Sequence, residues 1–134
     1  MTDKLYIDSN EPKNVQRAVE LTIQDRDTGA STETKGLKTA DFIYNNVAIE
    51  RKEASDLASS IVDGRLKEQT LRMLEDFEHQ YIIIEGNPYN LEYSNVHPNA
   101  FIGTMVSRAS EGIGIIHTPN IEGTAYAVNK IVSK

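Results

Sequence analysis

Short apolar runs alternate with amphipathic stretches along the chain and predict strands separated by helices. Lys4 to Asp8 (KLYID) reads as a short buried strand ending in an acid. Tyr81 to Glu85 (YIIIE) is continuously apolar, the mark of a strand covered on both faces. Pro12 suits the first turn of a helix reaching about Glu20, with a thin stripe of Val15, Ala18 and Val19. Leu21 to Asp25 fits either a second strand or a continuation of that helix, and Asp27 to Gly36 (DTGASTETKG) reads as loop. Ser55 or Asp56 opens a helix with Leu57 and Ile61 on one face, and Asp63-Gly64 breaks it. A further helix from Arg65 to about Glu78 is apolar along Leu66, Met73, Leu74 and Phe77. The loop from Gly86 to His97 carries Tyr89 and Tyr93, which pack over the sheet edge or stack on bases. Pro98 opens a helix with Phe101, Ile102, Met105 and Ala109 inward, Ile113 to His117 forms a last strand, and Ile121 to Lys134 a final helix striped by Ile121, Ala125, Val128 and Val132. Neither repeat nor linker interrupts the pattern, so residues 1–134 are expected to form one α/β domain.

The stretch Asp41 to Asp56 (DFIYNNVAIERKEASD) organises the rest. Phe42-Ile43-Tyr44 and Val47-Ala48-Ile49 read as strands around an Asn45-Asn46 turn, since asparagine tolerates the positive φ of tight hairpins. In that register Tyr44 opposes Val47, Phe42 opposes Ile49 and Asp41 opposes Glu50, with Lys52 on the same face by period two. Two carboxylates about 5 Å apart repel by roughly 3 kcal/mol at an effective dielectric near 20. A divalent cation removes that cost and favours hard oxygen ligands. The plainer alternative is a solvated hairpin mouth in which Lys52 pairs with the acids. On the helix after Gly64, Arg65, Gln69 and Arg72 make one polar, cationic stripe, either a solvated face or a phosphate-contacting row.

Composition narrows the chemistry. Cysteine is absent, which excludes disulfides and thiol catalysis, and His79, His97 and His117 lack ligand spacing and read as surface or boundary residues. No apolar run reaches the roughly 20 residues of a membrane span, so no membrane partner is expected. The net charge of −6 argues at first against nucleic acid. Setting aside Asp8, Glu11, Asp41, Glu50 and Asp56 leaves 15 acids against 14 bases, so the surplus sits at the candidate site and a DNA partner is permitted.

The residues then resemble those of a known family. Ala40-Asp41, Glu50-Arg51-Lys52 and Asp56 are similar to the GD…ERKxxxD motif of the XPF, Hef and Mus structure-specific endonucleases. Asp8 to Glu11 (DSNE) is similar to that family's early DxRE element, Ser60 to Gln69 to the segment after the motif, and Ile84-Glu85-Gly86 to its strand ending. The resemblance covers about Leu5 through Gly86 and fits loosely from Gly103 to Ile131. It implies a restriction-endonuclease-like fold with a central mixed sheet flanked by helices on both faces. It also implies an intracellular protein that cleaves branched DNA (flaps, forks, nicked junctions) in repair or recombination with Mg²⁺ or Mn²⁺. Asp41 and Glu50, with Asp8, would be metal ligands, and Lys52 the catalytic base or water-orienting group. Arg51, Asp56 and Glu11 would support the site, and Arg65 with Gln69 would lie beside it.

Three departures bear on this expectation. Asn10 stands where the family has arginine, and Ala40 replaces the glycine before the metal aspartate, a mild change for an extended backbone. No tandem helix-hairpin-helix module follows Lys134, so the expectation is an excised domain or a protein that takes DNA affinity from a partner. Family members pair through their nuclease domains, which implies a homodimer or heterodimer, here through the last two helices; the equal alternative is that the Ile121 to Val132 stripe packs only on its own sheet. The competing class is a catalytically idle module used for DNA binding or as a scaffold.

Overall fold

The computed structural model describes residues 3–26, 30–90 and 97–133. Among the described residues six strands and five helices follow one another as β1 (Lys4–Asp8), α1 (Lys13–Arg26), β2 (Ser31–Lys35), β3 (Phe42–Tyr44), β4 (Val47–Glu53), α2 (Ala54–Val62), α3 (Arg65–Asp76), β5 (His79–Glu85), α4 (Pro98–Ser110), β6 (Gly114–Thr118) and α5 (Ile121–Val132). They form one sheet in the order β2-β1-β3-β4-β5-β6. The β1–β3 and β3–β4 pairs are antiparallel; β1–β2, β4–β5 and β5–β6 are parallel. The expected mixed α/β sheet is thus observed.

Side-chain alternation along the strands builds two cores. Leu5 and Ile7 of β1, Ile49 of β4 and Ile83 of β5 are buried with Val15, Val19 and Ile23 of α1 and Ala125, Val128 and Val132 of α5. Ile82 and Ile84 point the other way, to Leu57 and Ala58 of α2, Leu66 of α3 and Phe101 of α4. The apolar run of β5 is therefore covered on both faces, and helices flank the sheet as the pattern requires.

The hairpin has the predicted register: Phe42 opposes Ile49, Ile43 opposes Ala48 and Tyr44 opposes Val47. Asn45 alone of the turn pair takes a left-handed conformation, φ 52°, and the Asn46 carbonyl accepts the backbone amides of Glu78 and His79 at 3.1 Å. One turn thus also anchors the start of β5. The ladder stops at Phe42, one residue short of the expected Asp41–Glu50 pair, and the Asp41 amide donates to the Ile49 carbonyl at 2.9 Å.

Several expectations are corrected. Of the two readings of Leu21 to Asp25 the helical one holds, since the stretch continues α1. Ser31–Lys35, within the stretch read as loop, is an edge strand parallel to β1; its polar residues hid it, and pairing with β1 rather than burial forms it. Residues 27–29 and Tyr93 lie outside the described residues. In α4 the inward row is Phe101, Met105 and Arg108, whereas Ile102 and Ala109 are exposed. Phe77 has left the helix for extended geometry, φ −133° and ψ 150°. Tyr89 packs edge-on to Phe101 of α4 at 6.1 Å, a helix contact and not the expected sheet edge. The three histidines are exposed, as expected. Ala40 is not extended: its φ is 68°, so the exchange of glycine for alanine there is not mild.

Candidate active site

Strand β4 presents two chemistries because its side chains alternate. Ile49 and Arg51 face α1 and α5, while Ala48, Glu50 and Lys52 face the side of α2 and α3. On that second side Glu50 meets Asp41 in a side-chain hydrogen bond, although Asp41 lies beyond the ladder. The Arg51 backbone amide donates to Asp41 Oδ2 at 2.7 Å and fixes the carboxylate. Lys52 Nζ stands 3.8 Å from Glu50 Oε2, and both side chains are nearly buried. The spacing argument on Asp41, Glu50 and Lys52 therefore describes one constellation, at the floor of a polar cleft of about 410 Å³.

Burial and mutual repulsion raise the pKa values of these acids. Glu50 is pushed up to about 9, first by burial and then by the charge of Asp41. Asp41 is raised by burial even though Glu50, the Arg51 amide and Lys52 act in the opposite sense. Glu11 is pushed up to about 8 by burial and then by Asp41, which outweigh its contact with Arg51. Such displaced carboxylates in a cleft are a functional signature.

Arg51 leaves β4 on the other side, and with Glu11 it borders the same cleft. Its guanidinium donates from Nη1 to Glu11 Oε2 at 3.0 Å, and from Nε and Nη2 to the two Glu85 oxygens at 3.1 and 2.7 Å. Thr124 of α5 donates to Glu85 Oε1 at 2.6 Å and lies 2.8 Å from the Thr118 hydroxyl. Burial pushes Glu85 up, yet Arg51 and Thr124 hold its carboxyl below the usual range. This buried chain ties β4, β5 and α5 beneath the cleft. Sequence reasoning recorded Glu85 as a strand ending and passed over Thr118 and Thr124. The period-two rule was the available signal, because it sends Arg51 away from Glu50 and so demands a buried carboxylate for it.

The remaining predicted residues ring the cleft. Asp8 Oδ1 accepts the backbone amides of Leu37 at 3.2 Å and Asn10 at 3.4 Å. Asp56 stands exposed in the first turn of α2, and Arg65 pairs with Asp63 at 2.7 Å at its rim. Gly64, φ 81°, turns α3 so that Gln69 lines the cleft, and Gln69 Oε1 is buried without a hydrogen-bond partner. Among the described residues no three His, Cys, Asp or Glu side chains converge as a ready-made cage. The hydrogen-bonded Asp41–Glu50 pair nonetheless fits Mg²⁺ or Mn²⁺, since one or two carboxylates with water and substrate oxygens suffice for Mg²⁺ and a cation can replace the held proton.

Comparison with known proteins identifies the family and the fold. Residues 7–131 match the ERCC4 domain family. The chain is 38% identical, over 78% of its length, to a Methanocaldococcus jannaschii protein named as an ATP-dependent RNA helicase. It is 30% identical, over 94% of its length, to the crossover junction endonuclease mus81 of Dictyostelium discoideum. It spans only 13% and 17% of the lengths of those two proteins. XPF from Aeropyrum pernix superposes with a TM-score of 0.79 at 28% identity, over 97% of this chain and 63% of that one. The same protein in complex with DNA gives 0.77 at 28% identity, over 98% and 63%. The expected restriction-endonuclease-like fold is therefore observed, and the chain belongs to the ERCC4-domain family of XPF- and Mus81-type nucleases.

Proposed function

We propose that this chain is a divalent-cation-dependent endonuclease that cleaves phosphodiester bonds in branched DNA (flaps, forks or nicked junctions). The observation that carries the reading is the hydrogen-bonded Asp41–Glu50 pair with Lys52 beside it on one face of β4. Asp41 and Glu50 would hold Mg²⁺ or Mn²⁺, with Asp8 at the cleft wall as a further oxygen donor. When bound, the cation supplies Lewis-acid charge at the phosphate and lowers the pKa of a water. Lys52 orients the attacking water and stabilises negative charge on the phosphate in the transition state. Asp56 and Arg65 border the path to these groups. Arg51 touches none of the reacting atoms; with Glu11 and Glu85 it holds the register of β4, and so the depth of Glu50 and Lys52. The similarity to mus81 and to an XPF solved with DNA supports DNA as the substrate, with an intracellular site of action.

A pairing surface accompanies this reading. The α5 stripe of Ala125, Val128 and Val132 is used up against its own sheet and α1. Beside it, Tyr81, Ile116, Tyr126 and Ile131 line an apolar groove of about 470 Å³ next to β6, a sheet-edge strand. A second copy or a related nuclease domain would dock there and could bring further DNA affinity. Light scattering should give twice the chain mass, and Tyr126→Arg should return the protein to monomer; a wild-type monomer at high micromolar concentration would refute self-pairing.

The activity is tested by cleavage of end-labelled flap, fork and linear duplex DNA with Mn²⁺. Branched substrates should be cut in preference to the duplex, and Lys52→Ala should lose about 10²- to 10³-fold in rate. Equal cutting of all three, or an unchanged Lys52→Ala rate, would refute the reading.

A further inference from the structure

We propose that a side lobe of the cleft, between residues 37–41 and α3, seats a phosphodiester neighbouring the scissile one, gripped by Lys38, Thr39 and Arg72. The proposal rests on the nuclease reading above and adds to it the direction in which the strand leaves the acid pair. The lobe holds about 190 Å³ and shares Asp8, Asp41, Glu50 and Gln69 with the main cleft. The acid pair therefore opens on two sides, as a site that cuts within a strand requires.

The cations around the pair are not equivalent. Arg51 is committed to Glu11 and Glu85 and Arg65 to Asp63, while Lys52, beside Glu50, is assigned to the attacking water. Among the described residues Lys38 has no carboxylate within 4.0 Å, and Arg72 has only the exposed Glu68 at 4.0 Å. Both line the side lobe. A surface lysine and arginine alone would make a solvated face. Here the loop that carries Lys38 and Thr39 is tied at both ends to one residue. The Leu37 amide donates to Asp8 Oδ1 at 3.2 Å, and the Asp8 amide donates to the Asp41 carbonyl at 2.9 Å. Lys38 and Thr39 are thereby held over the site, opposite Arg72 on α3. At the junction of the two lobes Gln69 Oε1 is buried without a partner; as an acceptor it calls for a donor such as water, and the grip on the phosphate falls to Lys38, Thr39 and Arg72. Phosphate contacts of this kind position a strand and carry no sequence preference.

The test is single-turnover cleavage of labelled fork DNA by the wild type and a Lys38→Ser/Arg72→Ser variant, across salt concentrations. The half-saturating enzyme concentration should rise about tenfold, the maximal rate should stay within about threefold, and the log–log salt slope should fall by about 1 to 2. Lys67→Ser, on another row of α3, should change none of these. A single methylphosphonate beside the mapped cut should weaken the wild type and leave the double variant no weaker. Wild-type saturation and salt slope in the double variant, or an equal methylphosphonate penalty in both proteins, would overturn the proposal. A wild type that fails to cleave would instead overturn the nuclease reading; fluorescence anisotropy on the same DNA then decides the lobe, and equal affinities of the two proteins overturn it.

Discussion

Ala40 holds its backbone at φ 68°, where an L-residue's Cβ crowds the following carbonyl at a cost of about 1–2 kcal/mol. Its neighbour Asp41 must reach both Glu50 and the Arg51 amide, and the bend at Ala40 aims it there. Ala40→Gly should therefore stabilise the fold by about 0.5–1 kcal/mol after allowance for glycine's greater unfolded freedom, a melting rise of about 2–4 °C by calorimetry. A fall in melting temperature would show that the strain is absorbed elsewhere. Glu50 supplies a second residue-scale prediction. Its folded pKa near 9 lies far above the ordinary carboxyl value, so in metal-free protein the folded state keeps a proton that the unfolded chain releases. Stability is then fully present below the ordinary carboxyl pKa and is lost as pH rises toward 9. Urea unfolding without metal should show that decline, Glu50→Gln should flatten it, and Mn²⁺ should restore stability at neutral pH and above. Asp41, Glu50 and Lys52 were legible because period two and one hairpin place them with local information alone. Thr124 was not, because its contact with Glu85 joins residues 39 apart in the chain and no spacing rule reaches across that distance.

The elements differ in how firmly they are held. Strand β4 pairs with β5 over seven residues but with β3 over only three. The long parallel ladder thus sets the position of Glu50 and Lys52, and the short hairpin sets that of Asp41. One glycine inserted between Asn45 and Asn46 should displace β3 and Asp41 while leaving β4 in place. Cleavage should fall at least about 10²-fold, with far-ultraviolet circular dichroism retained; full activity would show that the turn absorbs the insertion. Arg51→Met should act differently, destabilising the fold by about 3–5 kcal/mol in urea unfolding, because the Glu85 carboxylate would remain buried without its cation. The same distinction between local and distant information explains what the sequence concealed. The helix of α5 and the strand of β5 carry their own patterns. By contrast β2 (STETK) has neither alternation nor an apolar run, and its pairing with β1 is tertiary. Leu21 to Asp25 offers β-branched and polar residues to either structure, and packing of Ile23 against the α5 side of the sheet settles it as helix.

On the scale of the molecule the acidic balance and a DNA substrate are compatible, because charge is segregated. Asp8, Glu11, Asp41 and Glu50 line the cleft, while Lys38 and Arg72 face its side lobe. The apolar groove beside β6 lies on the opposite face of the sheet from Glu50, with α5, so a partner could dock there without covering the cleft. The central claim is that Asp41 and Glu50 together hold the cation on which cleavage depends. It is tested most directly by the rate of fork cleavage as a function of Mn²⁺ concentration in the wild type and in Asp41→Asn. The wild-type rate should rise from none to saturation with Mn²⁺, and Asp41→Asn should be slower by at least about 10²-fold at every concentration. Cleavage without a divalent cation, or an Asp41→Asn curve that overlays the wild type, would contradict the account.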